Sequence, residues 1–307
     1  MINVLFSARP QLWDVYRDLL IEACAAKGIE INLGTDIPAE QVDYIIFAPN
    51  PSLTDFTPFT RCKAVLSLWA GVESIAPNTT LTQPLCRLVD TGLTQGMVEW
   101  VTGHVLRHHL GMDQQIKNQS GKWAPMAPPL AKDRPVTILG LGELGAACAK
   151  ALVQLGFPVT GWSRTPKSID GVRCLSGSPI EALKDAQIAV LLLPLTLQTE
   201  NTLNADALNA MANGAYVINP GRGALIDDDA LLGALNSGQI AHATLDVFRV
   251  EPLPADHPYW AHPNVTVTPH IASETRPETA VEQIAENLRR AETGEPLLNL
   301  VDRTRGY

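Results

Sequence analysis

Five stretches of this chain gather residue types that can do chemistry together. "ILGLGELG" (138–145) spaces three glycines as Gly140-x-Gly142-x-x-Gly145. "GWSRTPKS" (161–168) brings Ser163, Arg164, Thr165 and Lys167 within five positions. "VINPGRGALIDDDAL" holds Arg222 in a glycine-rich turn, "TLDVFRVEPLP" holds Asp246 and Glu251, and "VTVTPHIAS" holds His270 behind a proline. The glycine spacing follows a β-rich run and opens a helical run rich in Ala and Leu, which is the setting of a dinucleotide loop. Gly140 allows the tight turn, Gly142 the close approach of a pyrophosphate, and Gly145 the packing of helix on strand. Glu143 and Leu144 belong to the same loop. Unpaired N–H groups and the helix dipole at such a turn favour an anion.

The second strand of a dinucleotide unit commonly ends in an acid that binds two ribose hydroxyls. Here Arg164 stands at that place, with Lys167 close behind. An acid would repel a 2′-phosphate. Arg164 offers it a planar fork of donors and can stack on adenine. Ser163 and Thr165 add neutral donors. The expected cofactor is therefore NADP(H) rather than NAD(H). Pro194, after the next strand, is placed with the same site.

Around these residues the predicted elements alternate β and α throughout. Strands are predicted at 2–6, 44–48, 64–68, 136–140, 158–162, 188–193, 215–218, 241–245 and 265–267. A helix is predicted from Gln11 to Ala26, with Gly28 as its stop. A long helix without a preceding strand runs from Gly96 to Gln119, then a Pro-, Gly- and Ala-rich linker, and a last helix covers Pro277 to Glu292. This order predicts an α/β protein of two Rossmann-like, doubly wound parallel-sheet domains, with the active site in the interdomain cleft. Residues 1–95 with 273–307 form a discontinuous substrate domain, and 96–272 form the dinucleotide domain with the linking helix. Arg222, Asp246 and His270 then fall at carboxyl ends of parallel strands, where such sheets place ligands.

The bulk numbers agree. With 307 residues and 46% hydrophobic content the chain can bury a sizeable core. A net charge of −9, with both signs interspersed, argues against a nucleic-acid surface or a polybasic membrane anchor. Five cysteines without a CxxC pair read as buried thiols of a reducing compartment. No signal peptide or membrane-spanning run stands in the sequence, so a cytoplasmic protein is expected.

Taken together, these motifs resemble the D-isomer-specific 2-hydroxyacid dehydrogenase family. The resemblance covers nearly the whole chain and includes "SLWAGVESI", "DTGLTQGMVEWV", "GWSRTPKS", "NPGRGALIDDDAL", "LDVFRVEPLP", "TPHIASETRPETA" and the terminal "VDRTRGY". It implies NADPH-dependent reduction of small 2-oxo acids, glyoxylate to glycolate and hydroxypyruvate to D-glycerate. His270 would protonate the oxygen as alkoxide develops, and Glu251 would fix its tautomer and favour the protonated ring. Arg222 would bind the substrate carboxylate and polarise the carbonyl. The resemblance assigns Asp246 to the nicotinamide carboxamide, with a structural strand-end role as the other reading. "WAGVES" resembles a substrate loop: the backbone N–H groups of Gly71 and Val72 would cradle the carboxylate, Ala70 belongs to the same substrate loop, and Trp69 would wall the pocket. Trp is bulkier than the residue often found there, so long substrate side chains should fit badly.

The alternatives are a reductase of a different or bulkier 2-oxo acid, and a non-enzymatic dinucleotide-sensing protein on the same fold. The lack of a basic patch and of a disordered tail weighs against the second. His104 and His108 have a metal-compatible spacing but no third ligand near in sequence, and no metal is expected. Trp123, in the linker, has two readings: an aromatic lent to a neighbouring subunit's pocket, or an anchor buried in its own chain. The long helix suits a two-fold interface, and a homodimer is expected.

Overall fold

The computed structural model describes residues 1–304 and 306, so Arg305 and Tyr307 of the terminal motif lie outside the described residues. The chain divides into two units, residues 1–93 with 275 onward, and 94–274.

In the first unit, β1 (Ile2–Ser7), β2 (Ile31–Gly34), β3 (Tyr44–Phe47), β4 (Ala64–Ser67) and β5 (Leu85–Cys86) form one parallel sheet in the order β2-β1-β3-β4-β5. The order reverses between β1 and β3, which marks a ligand crevice at their carboxyl ends. The central strands are apolar on both faces, as a sheet covered on both sides requires. One face packs on α1 (Trp13–Ala26) and the C-terminal helix through Val281, Ile284 and Leu288. The other face is covered by Phe56, Phe59, Val72, Ile75 and Leu81 from the connecting segments.

The long linking helix differs from its expected span. α2 runs Thr91–His109, and a separate short α3 follows at Met112–Lys117. Asp90 sets the earlier start by accepting from the amides of Gly92 and Leu93. Gly111, at φ 63°, sets the break, because a left-handed residue ends the α-helical ladder.

The second unit has a seven-stranded parallel sheet. Its strands are β6 (Val136–Leu139), β7 (Val159–Trp162), β8 (Val172–Leu175), β9 (Ile188–Leu191), β10 (Ala215–Asn219), β11 (Ile240–Leu245) and β12 (Val265–Val267). The order is β12-β11-β10-β9-β6-β7-β8, with the reversal between β6 and β9. α4 (Glu143–Gln154) packs with α2 on one face around Val101, Val105, Cys148 and Leu152. α5 (Pro179–Leu183), α6 (Ala205–Ala210), α7 (Asp228–Ser237) and α8 (Pro258–Ala261) serve the other face around Leu191, Leu208, Leu231 and Tyr259. α9 (Pro277–Thr293) is the C-terminal helix of the first unit. β2, β5 and β8 were not expected from the sequence. All three are edge strands; β5 has only two residues, and β2 and β8 carry Asn32 and Arg173 in place of a continuous apolar run.

Among the described residues no helix is long and apolar enough to cross a membrane. All five cysteines are unpaired. Burial pushes the thiols of Cys24 and Cys86 up to about 11 and those of Cys62 and Cys148 up to about 12.

Candidate active site

The glycine loop joins β6 to α4. A Cβ at Gly145 would lie 1.8 Å from the Gly140 carbonyl oxygen, so only glycine lets the first turn of α4 seat against the end of β6. Gly142 differs. A Cβ there meets nothing within 4 Å, so no protein atom demands a glycine. The open space lies at the N-terminus of α4, beside Glu143, Leu144 and Gly145, whose amides are the unpaired donors of a helix start. A bare backbone facing open space fits the approach of a pyrophosphate.

β7 ends beside this loop, through the Gly140 amide donating to the Trp162 carbonyl at 2.8 Å. Ser163 is buried, and its hydroxyl donates to the Thr165 carbonyl at 2.7 Å. This bond folds the loop that presents Arg164. Arg164, Thr165 and Lys167 are exposed at the tip. Pro194 follows β9, and its carbonyl is held by the Thr199 hydroxyl at 2.7 Å.

Three neighbouring strands bring the polar residues to the carboxyl end of the sheet. After β10, Asn219 builds the Arg222 turn: its amide nitrogen donates to the Arg222 carbonyl at 2.9 Å, and its side-chain oxygen accepts from the Gly221 amide at 3.1 Å. Nη1 of Arg222 donates to the Gly221 carbonyl at 2.6 Å. Next to it, β11 ends at Asp246, and the turn beyond carries Glu251. After β12 comes His270, whose Nδ1 lies 2.7 Å from Glu251 Oε2. The other Glu251 oxygen accepts from the Phe248 amide at 2.9 Å. Facing a carboxylate, Nδ1 carries a hydrogen, which leaves Nε2 as the atom that can exchange a proton with a ligand. The His270 side chain is 52% exposed, so a ligand can reach it.

Asp246, expected either at the nicotinamide carboxamide or as a structural strand-end residue, is fully buried. Oδ1 accepts from the Thr268 hydroxyl at 2.6 Å and the Ile271 amide at 2.9 Å, and Oδ2 from the Ala272 amide at 2.9 Å. It clamps the turn that bears His270. That turn needs a clamp, because His270 has φ 57°, a left-handed conformation costly for a residue with a Cβ.

In the first unit, Ser67 shapes the loop after β4: its Oγ donates to the Trp69 carbonyl and accepts from the Trp69 amide, both at 3.0 Å. Among the described residues, the amides of Ala70, Gly71 and Val72 donate to no protein acceptor. Three successive amides of this kind suit a carboxylate. Trp69 is 37% exposed.

His108 is buried, stacked on Tyr216 and 2.9 Å from the Thr244 hydroxyl through Nε2. Burial is the chief reason that it is pushed down to about 2, and His104 and His242 to about 4. Trp123 is 96% exposed, which excludes the anchor within its own chain. Asn219, Thr268 and Arg249 escaped the sequence reading. Only Asn219, directly before Pro-Gly, carried a local signal, that of a turn-forming side chain.

Known proteins match this architecture. Residues 101–272, more than half of the chain, fit the profile of the D-isomer specific 2-hydroxyacid dehydrogenase NAD binding domain. A glyoxylate/hydroxypyruvate reductase A of Yersinia enterocolitica is 44% identical over 255 residues, 80% of this chain and 82% of the relative. A D-isomer specific 2-hydroxyacid dehydrogenase of Xanthobacter autotrophicus, solved with NADPH and MES, superposes with a TM-score of 0.91 at 40% identity, covering 100% of this chain and 99% of that one. An NADPH-dependent glyoxylate/hydroxypyruvate reductase of Sinorhizobium meliloti, solved with NADP and sulfate, gives 0.86 at 31% identity over 100% of both chains. The chain described here belongs to the D-isomer-specific 2-hydroxyacid dehydrogenase family.

Proposed function

We propose that this protein is an NADPH-dependent reductase of small 2-oxo acids, converting glyoxylate to glycolate and hydroxypyruvate to D-glycerate. The observation that carries the reading is the His270–Glu251 pair, 2.7 Å apart at the carboxyl end of the sheet, which also bears the Arg222 turn. The relative from Yersinia enterocolitica and the NADPH-dependent reductase from Sinorhizobium meliloti support the choice of substrate.

Bound NADPH supplies the hydride for the C2 carbonyl. Gly140, Gly142, Glu143, Leu144 and Gly145 receive its pyrophosphate. Arg164, with Thr165 and Lys167, receives the 2′-phosphate, and Pro194 lines the turn after β9. His270 holds a proton at Nε2 for the carbonyl oxygen, which becomes the hydroxyl of the product. Glu251 orients the imidazole through Nδ1 and faces the charge that the ring carries before transfer. Arg222 meets the substrate carboxylate and the negative charge that develops on the oxygen. In the unit of residues 1–93, the amides of Ala70, Gly71 and Val72 suit a carboxylate, and Trp69 limits the length of a substrate side chain. The unit of residues 1–93 and 275 onward is thus the substrate domain, and 94–274 the dinucleotide domain.

The proposal includes a homodimer in the cytoplasm. Support for the dimer is the arm around Trp123, with Ile116, Met126 and Leu130 also exposed. Unpaired, mostly buried thiols agree with a reducing compartment.

The deciding experiment follows nicotinamide absorbance with purified protein, NADPH or NADH, and glyoxylate, hydroxypyruvate or a branched 2-oxo acid. Fast oxidation of NADPH with the two small acids is expected. A protein that binds NADPH yet turns over none of them would overturn the proposal.

A further inference from the structure

We propose that Arg249 is a positioning residue for the Glu251–His270 pair, its guanidinium tying the turn that bears Glu251 to the segment that follows Arg222. The inference rests on the catalytic reading of Glu251 and His270 given above.

Arg249 stands two residues before Glu251, and its guanidinium is held by other groups. Nη1 reaches Glu200 Oε1 at 3.2 Å, Nη2 donates to the Asn201 side-chain oxygen and to the Ile226 carbonyl, and Nε lies 3.4 Å from Asp228 Oδ2. These acceptors come from three places: the loop after β9, the end of the turn that begins at Arg222, and the first turn of α7. The acceptors are themselves fixed. The Asn201 amide donates to the Ala224 carbonyl at 2.9 Å, and the Tyr259 hydroxyl donates to Asp228 Oδ1 at 2.9 Å.

The backbone makes the same joint. A Cβ at Gly223 would lie 1.9 Å from the Phe248 carbonyl carbon and 2.4 Å from the Arg249 nitrogen. The Arg222 turn therefore rests directly on the peptide that begins the Glu251 turn. Phe248, on the other side of that peptide, donates its amide to Glu251. Displacing the Phe248–Arg249 peptide moves the Glu251 carboxylate, and with it the orientation of the His270 ring. A single exposed ion pair contributes little, whereas a planar fork held by several acceptors fixes a geometry. Arg249 touches neither substrate nor cofactor in this reading, so its effect passes through Glu251.

The test is a double-mutant cycle of wild type, Arg249→Ala, Glu251→Gln and the double variant, with kcat, KM for glyoxylate, NADPH Kd and thermal midpoint measured for each. Arg249→Ala is expected to lower kcat about tenfold while KM and Kd stay within about twofold. The double variant is expected to match Glu251→Gln within about twofold, since a positioning residue has nothing left to position. Arg249→Lys, which keeps the charge and loses the fork, should resemble Arg249→Ala, and takes its place in the cycle if that variant does not fold. Losses that multiply in the double variant, or an unchanged kcat in Arg249→Ala or Arg249→Lys, overturn the proposal. Full activity of Glu251→Gln instead overturns the catalytic reading of Glu251 itself, and the positioning role with it.

Discussion

The amide of His270 donates to the Asp246 carbonyl at 2.8 Å, while the Asp246 carboxylate accepts from Thr268 on one side of His270 and from Ile271 and Ala272 on the other. One buried acid thus holds the peptide before, at and after the imidazole, which keeps a left-handed histidine in place. Asp246→Asn preserves the shape but turns part of an acceptor-only group into a donor facing backbone amides. Loss of a charge-assisted buried bond costs about 1.5–3 kcal/mol. The variant is expected to show a lower thermal midpoint and at least about tenfold lower kcat, with NADPH binding little changed. Wild-type turnover in a destabilised Asp246→Asn protein would refute the link between this clamp and His270.

His270→Ala removes the proton donor. Turnover of glyoxylate should fall by about 10²–10⁴, whereas fluorescence titration with NADPH should give a Kd close to that of wild type. A variant that keeps its rate would transfer the proton to another group.

Arg164 stands where an acid would select the unphosphorylated cofactor. Arg164→Asp should reduce kcat/KM for NADPH by at least about tenfold more than kcat/KM for NADH, the loss expected for one charge-assisted phosphate contact turned repulsive. Parallel losses with both cofactors would show that this side chain does not read the 2′-phosphate.

Acid should weaken the second unit through its buried histidines. His108 and His242 lie 5.3 Å apart, with Arg107, Arg134, Lys117, His104 and His262 raising the cost of charge, and Asp113 opposing it at His242. Their folded values lie below the ordinary 6.5, His242 at about 4 and His108 at about 2. Between those values and 6.5 the unfolded chain takes up protons that the folded chain refuses, so stability is full above that window and falls as pH drops through it. Each site contributes up to about 1.4 kcal/mol per pH unit. Urea midpoints measured from neutral pH downward should decline less steeply for His242→Gln than for wild type. Equal slopes would mean that His242 is not held neutral.

Trp123→Ala should weaken self-association, measured by sedimentation at several concentrations, because it strips the largest apolar side chain from the exposed arm. A wild-type protein that sediments as a monomer throughout would remove the dimer.

Legibility in the sequence tracked the range of the interaction. The glycine loop was readable because its signal is a local spacing, with Gly145 answering to the Gly140 carbonyl five positions before it. The central strands were readable because burial on both faces leaves a continuous apolar run. β2 and β8, at the sheet edges, carry no such run, and β5 has two residues. The clamp made by Asp246 was not legible, because nothing local reveals that Thr268, Ile271 and Ala272, more than twenty positions on, converge on it. Arg249 was invisible for the same reason: Glu200 and Asn201 become its partners only when the loop after β9 meets the turn beyond β11.

The return of α9 to the first sheet has a consequence for synthesis. Val281, Ile284 and Leu288 complete a core whose other half is made of residues near the amino terminus. As the chain leaves the ribosome, β1 and α1 appear first but lack their covering helix until residues 277–293 have emerged. The intervening unit, continuous in sequence, holds all of its own strands and helices before then. The part that is born second is the first that can finish folding, and the amino-terminal part waits with an apolar face exposed to whatever chaperone attends it.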